Sequence, residues 1–240
     1  MLRLIIVLVL LSVGIASAGK DVKTGDVYTS STGFSGKRMH LSVTPGPYFV
    51  QKKKMKFGSI KIRPQMAIWL EDTAGNFIKT VYVTRSFGKQ KWYLLKEHRD
   101  STYRTSCMPY WFNRMKKGGE KAPTPAKPFP DGITGATPTK NFSVDFNVPE
   151  NLSEVVLLIE WNSSFDNNES FSVKDVAFNG QPSCIARARI PLNSIGSDPL
   201  PLEIIGHGGN NGGDATLYTD MEKMTTAPTI LGKMIVTAVQ

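Results

Sequence analysis

The sequence predicts an all-β protein, an antiparallel immunoglobulin-like β-sandwich carrying one long irregular insertion. Three observations predict it. Short segments that alternate apolar and polar residues recur along the chain between turn-forming residues, which is the pattern of strands with one buried face. The 240 residues include 21 Gly and 15 Pro, a load that favours short strands and turns over long helices. Between residues 85 and 130 the alternation stops and basic, aromatic and then Pro-rich sequence takes its place. A long irregular stretch of this kind inside a domain is often functional.

The chain opens with Met1-Leu2-Arg3, an apolar run from Leu4 to Ile15, and Ala16-Ser17-Ala18. A basic start, a short apolar core and an A-x-A end are the parts of a secretory signal peptide over residues 1–18. The expected protein is therefore periplasmic or secreted. It is also expected not to span a membrane after cleavage, because the apolar run is short for a span. Residues 19–36 are polar and rich in Gly, Ser and Thr, and read as a flexible N-terminal spacer. A single sandwich domain is expected over 37–240.

Arg38 to Val43 and Ser59 to Arg63 alternate as half-buried strands. Lys52-Lys53-Lys54 between them reads as a solvated turn or a charged edge. Met66 to Glu71 is more continuously apolar and predicts a central strand. Asp72 to Asn76 is a turn, and Phe77 to Thr84 returns, so Trp69 to Val83 predicts a β-hairpin. Residues 85–121 then carry ten basic residues against three acidic ones, interleaved with Trp92, Tyr93, Tyr103, Tyr110, Trp111 and Phe112. One short helix is expected near Pro109 to Met115. Pro123, Pro125, Pro128 and Pro130 make a stiff lead into Asp131. Strands are expected again at Phe142 to Phe146, Glu154 to Trp161, Ile185 to Ile190, Leu202 to Ile205, Thr216 to Tyr218 and Lys233 to Val239. A Gly-rich loop lies at Gly206 to Asp214.

The net charge is +9. Export and the lack of a recognition motif speak against nucleic acid as the partner, leaving a solvated basic face or an acidic partner. Cys107 and Cys184 are compatible with one disulfide or with two buried thiols, and neither sits in a C-x-x-C motif. His40, His98 and His207 are too dispersed for a metal set. No nucleophile–base pair suggests a hydrolase, so a redox carrier or a binding protein is expected rather than a stand-alone enzyme.

The run Asp131-Gly132-Ile133-Thr134-Gly135-Ala136-Thr137 resembles the motif at which a flavin transferase links flavin mononucleotide (FMN), through its phosphate, to a threonine hydroxyl. The resemblance implies covalent FMN on Thr137, with Asp131, Gly132, Thr134, Gly135 and Ala136 shaping the acceptor loop. Lys116, Lys117, Lys121 and Lys140 would then stabilise the phosphate and a reduced ring, and Tyr110 and Trp111 would stack on it. Lys140 stands where covalent-flavin domains usually carry a small hydroxyl residue.

A second resemblance spans roughly residues 60–165. Trp69, Val81 to Gly88, Lys91-Trp92, Arg104 with Pro109-Tyr110-Trp111, Asp131 to Pro138 and the strand ending in Glu160 are similar to a periplasmic bacterial family, domain-of-unknown-function family 2271. Its members look like small β-sandwich proteins linked by gene context with extracytoplasmic flavin and iron or haem redox systems. The implied function is an electron-transfer carrier, with a flavin transferase and membrane or periplasmic redox proteins as partners. The alternative is a binding or assembly module docking through the basic aromatic face 85–121.

Overall fold

The structure is a computed structural model and describes residues 25–56, 58–92, 98–172, 178–196 and 198–239. The expected leader, residues 1–18, lies outside the described residues. Two sheets face each other. The first takes β1 (Asp26–Thr29), β8 (Phe142–Asn147), β2 (Arg38–Pro45), β13 (Leu231–Ala238) and β11 (Leu200–Pro201), in that order. The second takes β12 (Glu203–His207), β10 (Cys184–Pro191), β9 (Glu154–Asn162), β5 (Gln65–Glu71), β6 (Phe77–Thr84) and β7 (Thr134–Gly135). A separate hairpin joins β3 (Gln51–Met55) to β4 (Gly58–Ile62).

The two sheets differ in burial, and the sequence patterns follow that difference. In β2, Met39, Leu41 and Val43 point into the sandwich and the residues between them do not. Every residue from Met66 to Glu71 in β5 and from Val155 to Asn162 in β9 is buried. Those strands are covered on both faces, so their apolar runs are nearly continuous. One face meets the first sheet through Met66, Ile68, Leu157, Ile159 and Trp161. The other carries Ala67, Trp69, Val156 and Leu158, which pack under the excursion. Two cores therefore exist, one between the sheets and one between the second sheet and the insertion.

The excursion is a built layer. The chain leaves β6 through a short helix α1 (Arg85–Gly88) and later forms α2 (Pro109–Lys117), close to the helix expected. Pro109 opens α2, where a missing N–H costs nothing. Two buried carboxylates pin α2 to the second sheet. Glu160 of β9 accepts the backbone N–H groups of Trp111 at 2.6 Å and Tyr110 at 3.2 Å, together with the Ser183 hydroxyl. Glu71 of β5 receives Arg114 in a two-pronged pair at 2.8 and 2.7 Å, and also the Trp69 indole N–H at 2.9 Å.

Several expectations need correction. Residues 26–29 are not free spacer: they form β1, which pairs in parallel with β8. Parallel pairing recurs where β6 meets β7, so the sandwich is antiparallel except at one edge of each sheet. Of the two readings of Lys52–Lys54, the charged edge holds and the turn does not: they are exposed residues of β3, which pairs only with β4. Thr216 to Tyr218 contributes one bridge between Tyr218 and His207 and no named strand. Cys107 and Cys184 are both buried free thiols. The Trp69–Val83 hairpin forms as expected, with Asp72 accepting the Asn76 N–H at 2.7 Å in its turn.

Candidate functional site

The Asp131–Thr137 loop sits where the two sheets meet at one edge. The Pro-rich lead ends at Pro130 in extended conformation, and Asp131–Ile133 make one 3-10 turn. Thr134 and Gly135 then pair with Val83 and Thr84 of β6. Ile133 is buried in the outer core. On the opposite side, the segment that follows β1 closes over the loop: the Ser31 N–H donates to the Gly132 carbonyl at 2.8 Å, and the Ser30 hydroxyl donates to the Val81 carbonyl.

Both glycines are required by close approach. A Cβ on Gly135 would lie 2.4 Å from Tyr82 Cε2 and 2.9 Å from the Tyr28 ring. A Cβ on Gly132 would lie 2.6 Å from Ser31 Oγ. The carbonyl of Ala136 is clamped by two phenols, Tyr28 at 3.0 Å from the first sheet and Tyr82 at 2.9 Å from the second. Burial raises both phenol pKa values, for Tyr82 well above the usual range, so both stay protonated and donate. The two rings lie 5.1 Å apart.

The polar side chains of the motif are accounted for one by one. Asp131 is exposed and pairs with Lys89 at 2.8 Å; that hydrogen bond and charge hold its carboxyl below the usual carboxylate range. Lys89 also donates to the Phe129 carbonyl at 2.6 Å, tying the turn to the end of α1. The Thr134 hydroxyl donates to the Pro130 carbonyl. Thr137 differs. It is half-buried, and no side-chain hydrogen bond engages it among the described residues. A cleft of about 190 Å³ beside the loop is lined by Tyr28, Ser30, Tyr82 and Asp131 to Gly135.

Of the expected site residues, Asp131, Gly132, Thr134, Gly135, Ala136 and Thr137 therefore form one loop. Tyr110 and Trp111 do not join it as ring-stacking groups. Trp111 is fully buried, packs edge-on against Phe87 and Phe129, and donates its indole N–H to Thr80 at 3.2 Å. Tyr110 lies against Trp69 and beneath Arg114. Their rings serve the outer core because α2 turns that face towards the sheet. Of the expected aromatic docking face, Trp92, Tyr110, Trp111 and Phe112 are buried, Tyr103 is half-buried and Tyr93 lies outside the described residues; Lys91, Arg99, Arg104 and Lys121 are exposed, while Lys89 and Arg114 are part-buried. Lys116 and Lys117 lie exposed near the end of α2, and Lys140 faces Asp26 at 3.6 Å.

Tyr28, Ser30, Ser31, Tyr82 and Lys89 complete the site without having been expected there. Tyr82 stood in a recognised strand. The residues near β1 carried no signal, since a parallel pairing across more than a hundred residues leaves no local pattern. A larger cavity, of about 690 Å³, lies elsewhere, by the Gly-rich loop. There a buried His207 stacks on Tyr218 and faces Asp220 at 3.3 Å. No group of three or more metal-ligating side chains occurs among the described residues. Comparison of the chain with protein-family models, with curated proteins and with solved structures finds no match.

Proposed function

We propose that this protein is an exported electron-transfer carrier that bears FMN covalently on Thr137, presented by a sandwich of immunoglobulin-like type. One observation carries the reading: in a loop whose other polar side chains, Asp131 and Thr134, are engaged, the Thr137 hydroxyl has no hydrogen-bond partner among the described residues. The carbonyl just before it is clamped from both sheets, so the acceptor is held in place on a rigid base. Pro138 follows and biases Thr137 towards extended backbone.

The attachment chemistry balances with a donor in which FMN is activated as a phosphoanhydride to a nucleotide. Thr137 Oγ forms the new bond to the FMN phosphorus. The anhydride P–O bond breaks, the nucleotide leaves with the electron pair, and the hydroxyl proton passes to a base on the transferase. The chain's own part is to present the hydroxyl. Exposed Asp131, whose Oδ1 pairs with Lys89, would have its other carboxylate oxygen to turn towards a metal–nucleotide donor. Once bound, the flavin supplies electron transfer itself.

The residues present fit a tethered group better than an enclosed one. The neighbouring cleft of about 190 Å³ is smaller than sites that enclose a ligand, which run from roughly 300 Å³ upwards. Retention then has to come from a covalent bond. Tyr28, half-buried at the cleft, would be available to a flavin ring there in place of Tyr110 and Trp111.

Co-expression with a flavin transferase tests the reading. The expected product has the intact mass of the chain plus one FMN less water, and fluoresces in a denaturing gel. Thr137→Ala abolishes both signals and Thr137→Ser keeps them. An unmodified wild-type chain, or a Thr137→Ala variant that still carries flavin on Thr134 or Thr139, overturns it.

A further inference from the structure

The hairpin β3–β4 belongs to neither sheet. Its two strands pair only with each other, and all of its residues from Lys52 to Met55 and from Gly58 to Lys61 are exposed. A two-stranded ribbon of this kind gains little stability by itself. Its register also places Lys52 directly opposite Lys61, a like-charge cross-strand pair that is unfavourable in isolation. Lys54, opposite Ser59, shares that face, and exposed Arg63 follows β4.

The opposite face is different. Lys53 opposes Ile60, and Met55 opposes Gly58. Met55 is 50% exposed and Ile60 38%, and Tyr48 and Val50 just before β3 are 44% and 41% exposed. Half of the exposed large apolar side chains found among the described residues thus lie within residues 48–60. At the root, Gln51 bonds Ser163 at 3.2 Å and Ile62 is buried, which fixes the ribbon to the body.

No acidic residue occurs between Pro45 and Pro64. Among the described residues, no ion pair engages Lys52, Lys53, Lys54, Lys61 or Arg63. Lysines on an edge strand are a common guard against sheet-to-sheet association. Edge protection does not call for Lys52, Lys54 and Lys61 gathered on one face with Met55 and Ile60 on the other, where Lys53 lies over the Phe165 ring at 5.8 Å. That combination is the chemistry of a surface that meets anionic headgroups and the acyl boundary beneath them.

We propose that the β3–β4 hairpin is a docking element for an anionic phospholipid bilayer. Lys52, Lys54 and Lys61 meet the headgroup phosphates, and Met55 and Ile60 enter the interface. The proposal stands independently of flavin attachment, since it uses none of the residues around Thr137.

Vesicle flotation tests it, using the chain from Gly19 onward, which contains every described residue. The probes are vesicles of phosphatidylcholine alone and vesicles of equal parts phosphatidylcholine and phosphatidylglycerol. Binding is expected only to the phosphatidylglycerol vesicles, weakening as salt rises. Each cation near such a surface contributes about fivefold, so the triple variant Lys52→Gln, Lys54→Gln, Lys61→Gln loses on the order of a hundredfold in affinity. Met55→Ser with Ile60→Ser keeps the charge and is expected to lose the binding that survives high salt. All five side chains are exposed, and unchanged circular dichroism shows that the variants remain folded. Equal binding to both vesicle types, or an undiminished triple variant, overturns the proposal. Capture by a soluble polyanion such as heparin with no vesicle flotation also overturns it, in favour of a polyanion site.

Discussion

At the scale of single residues, the Asp131–Thr137 loop is decided by what cannot be larger. Gly135 is held between two tyrosine rings, and a methyl group there would lie 2.4 Å from Tyr82 Cε2. Tyr82 is 2% exposed and packs on Phe142, so it has little room to retreat. Gly135→Ala should therefore destabilise the protein by about 1–3 kcal/mol, the usual cost of overpacking a core. It should also lower flavin attachment by moving the Ala136 carbonyl off its phenols. Urea midpoints with unchanged slope check the first effect, and in-gel fluorescence of the co-expressed variant checks the second. Thr137→Ala should shift the midpoint by less than about 0.5 kcal/mol, because its side chain has no hydrogen bond to lose. The motif residues were legible in the sequence as a group. The reason each one is needed was not, because Tyr28 and Ser31 reach the loop from a segment more than a hundred positions earlier in the chain.

At the scale of elements, α2 and β9 form a coupled pair through Glu160. This carboxyl is fully buried, and desolvation raises its pKa from 4.5 to about 7, against the lowering effect of Ser183 and the two α2 amides. The folded protein therefore holds a proton here that the unfolded chain releases in between. The resulting stabilisation is complete below about pH 4.5 and is lost as pH rises through 7. Asp166, raised by burial to about 6, acts in the same direction over a lower window. Between pH 5 and pH 8 the Glu160 contribution falls by about 2 kcal/mol. Urea midpoints across that range should show the decline, and Glu160→Gln should remove most of the part lying between pH 6 and 8. A variant with the wild-type pH profile would assign the decline to other groups. The sequence marked α2 through Pro109 and the strand through its apolar run. It could not mark their union, which depends on a side chain of β9 facing the outer layer.

At the scale of the whole molecule, two cores share the second sheet, and both cysteines are inside. Cys107 lies in the outer core and Cys184 in the inner one, and burial pushes both thiols well above their usual pKa. A thiol reagent added to the native protein should label neither, and both should react once denaturant opens the fold. Intact mass before and after denaturation reads the count directly. Labelling of one thiol under native conditions would mean that its core opens locally, most simply by release of the insertion.

The sequence by itself determined that the chain is built of short strands, where most of them lie, and that one basic, aromatic and Pro-rich excursion interrupts them. It could do so because the period of apolar residues is a local quantity, read within a few residues of each position. It also singled out the Asp131–Thr137 loop, with Thr137 as the proposed acceptor. The tertiary structure alone placed Trp92, Tyr110, Trp111 and Phe112 of the excursion in a second core, since burial depends on which side of the second sheet is covered. It decided equally that β1 belongs to the sandwich and that Tyr28 grips the loop. Among the described residues it left Lys52, Lys54 and Lys61 without an ion pair. Each of these is a contact between residues far apart in the chain, or the lack of one, and no local pattern encodes it.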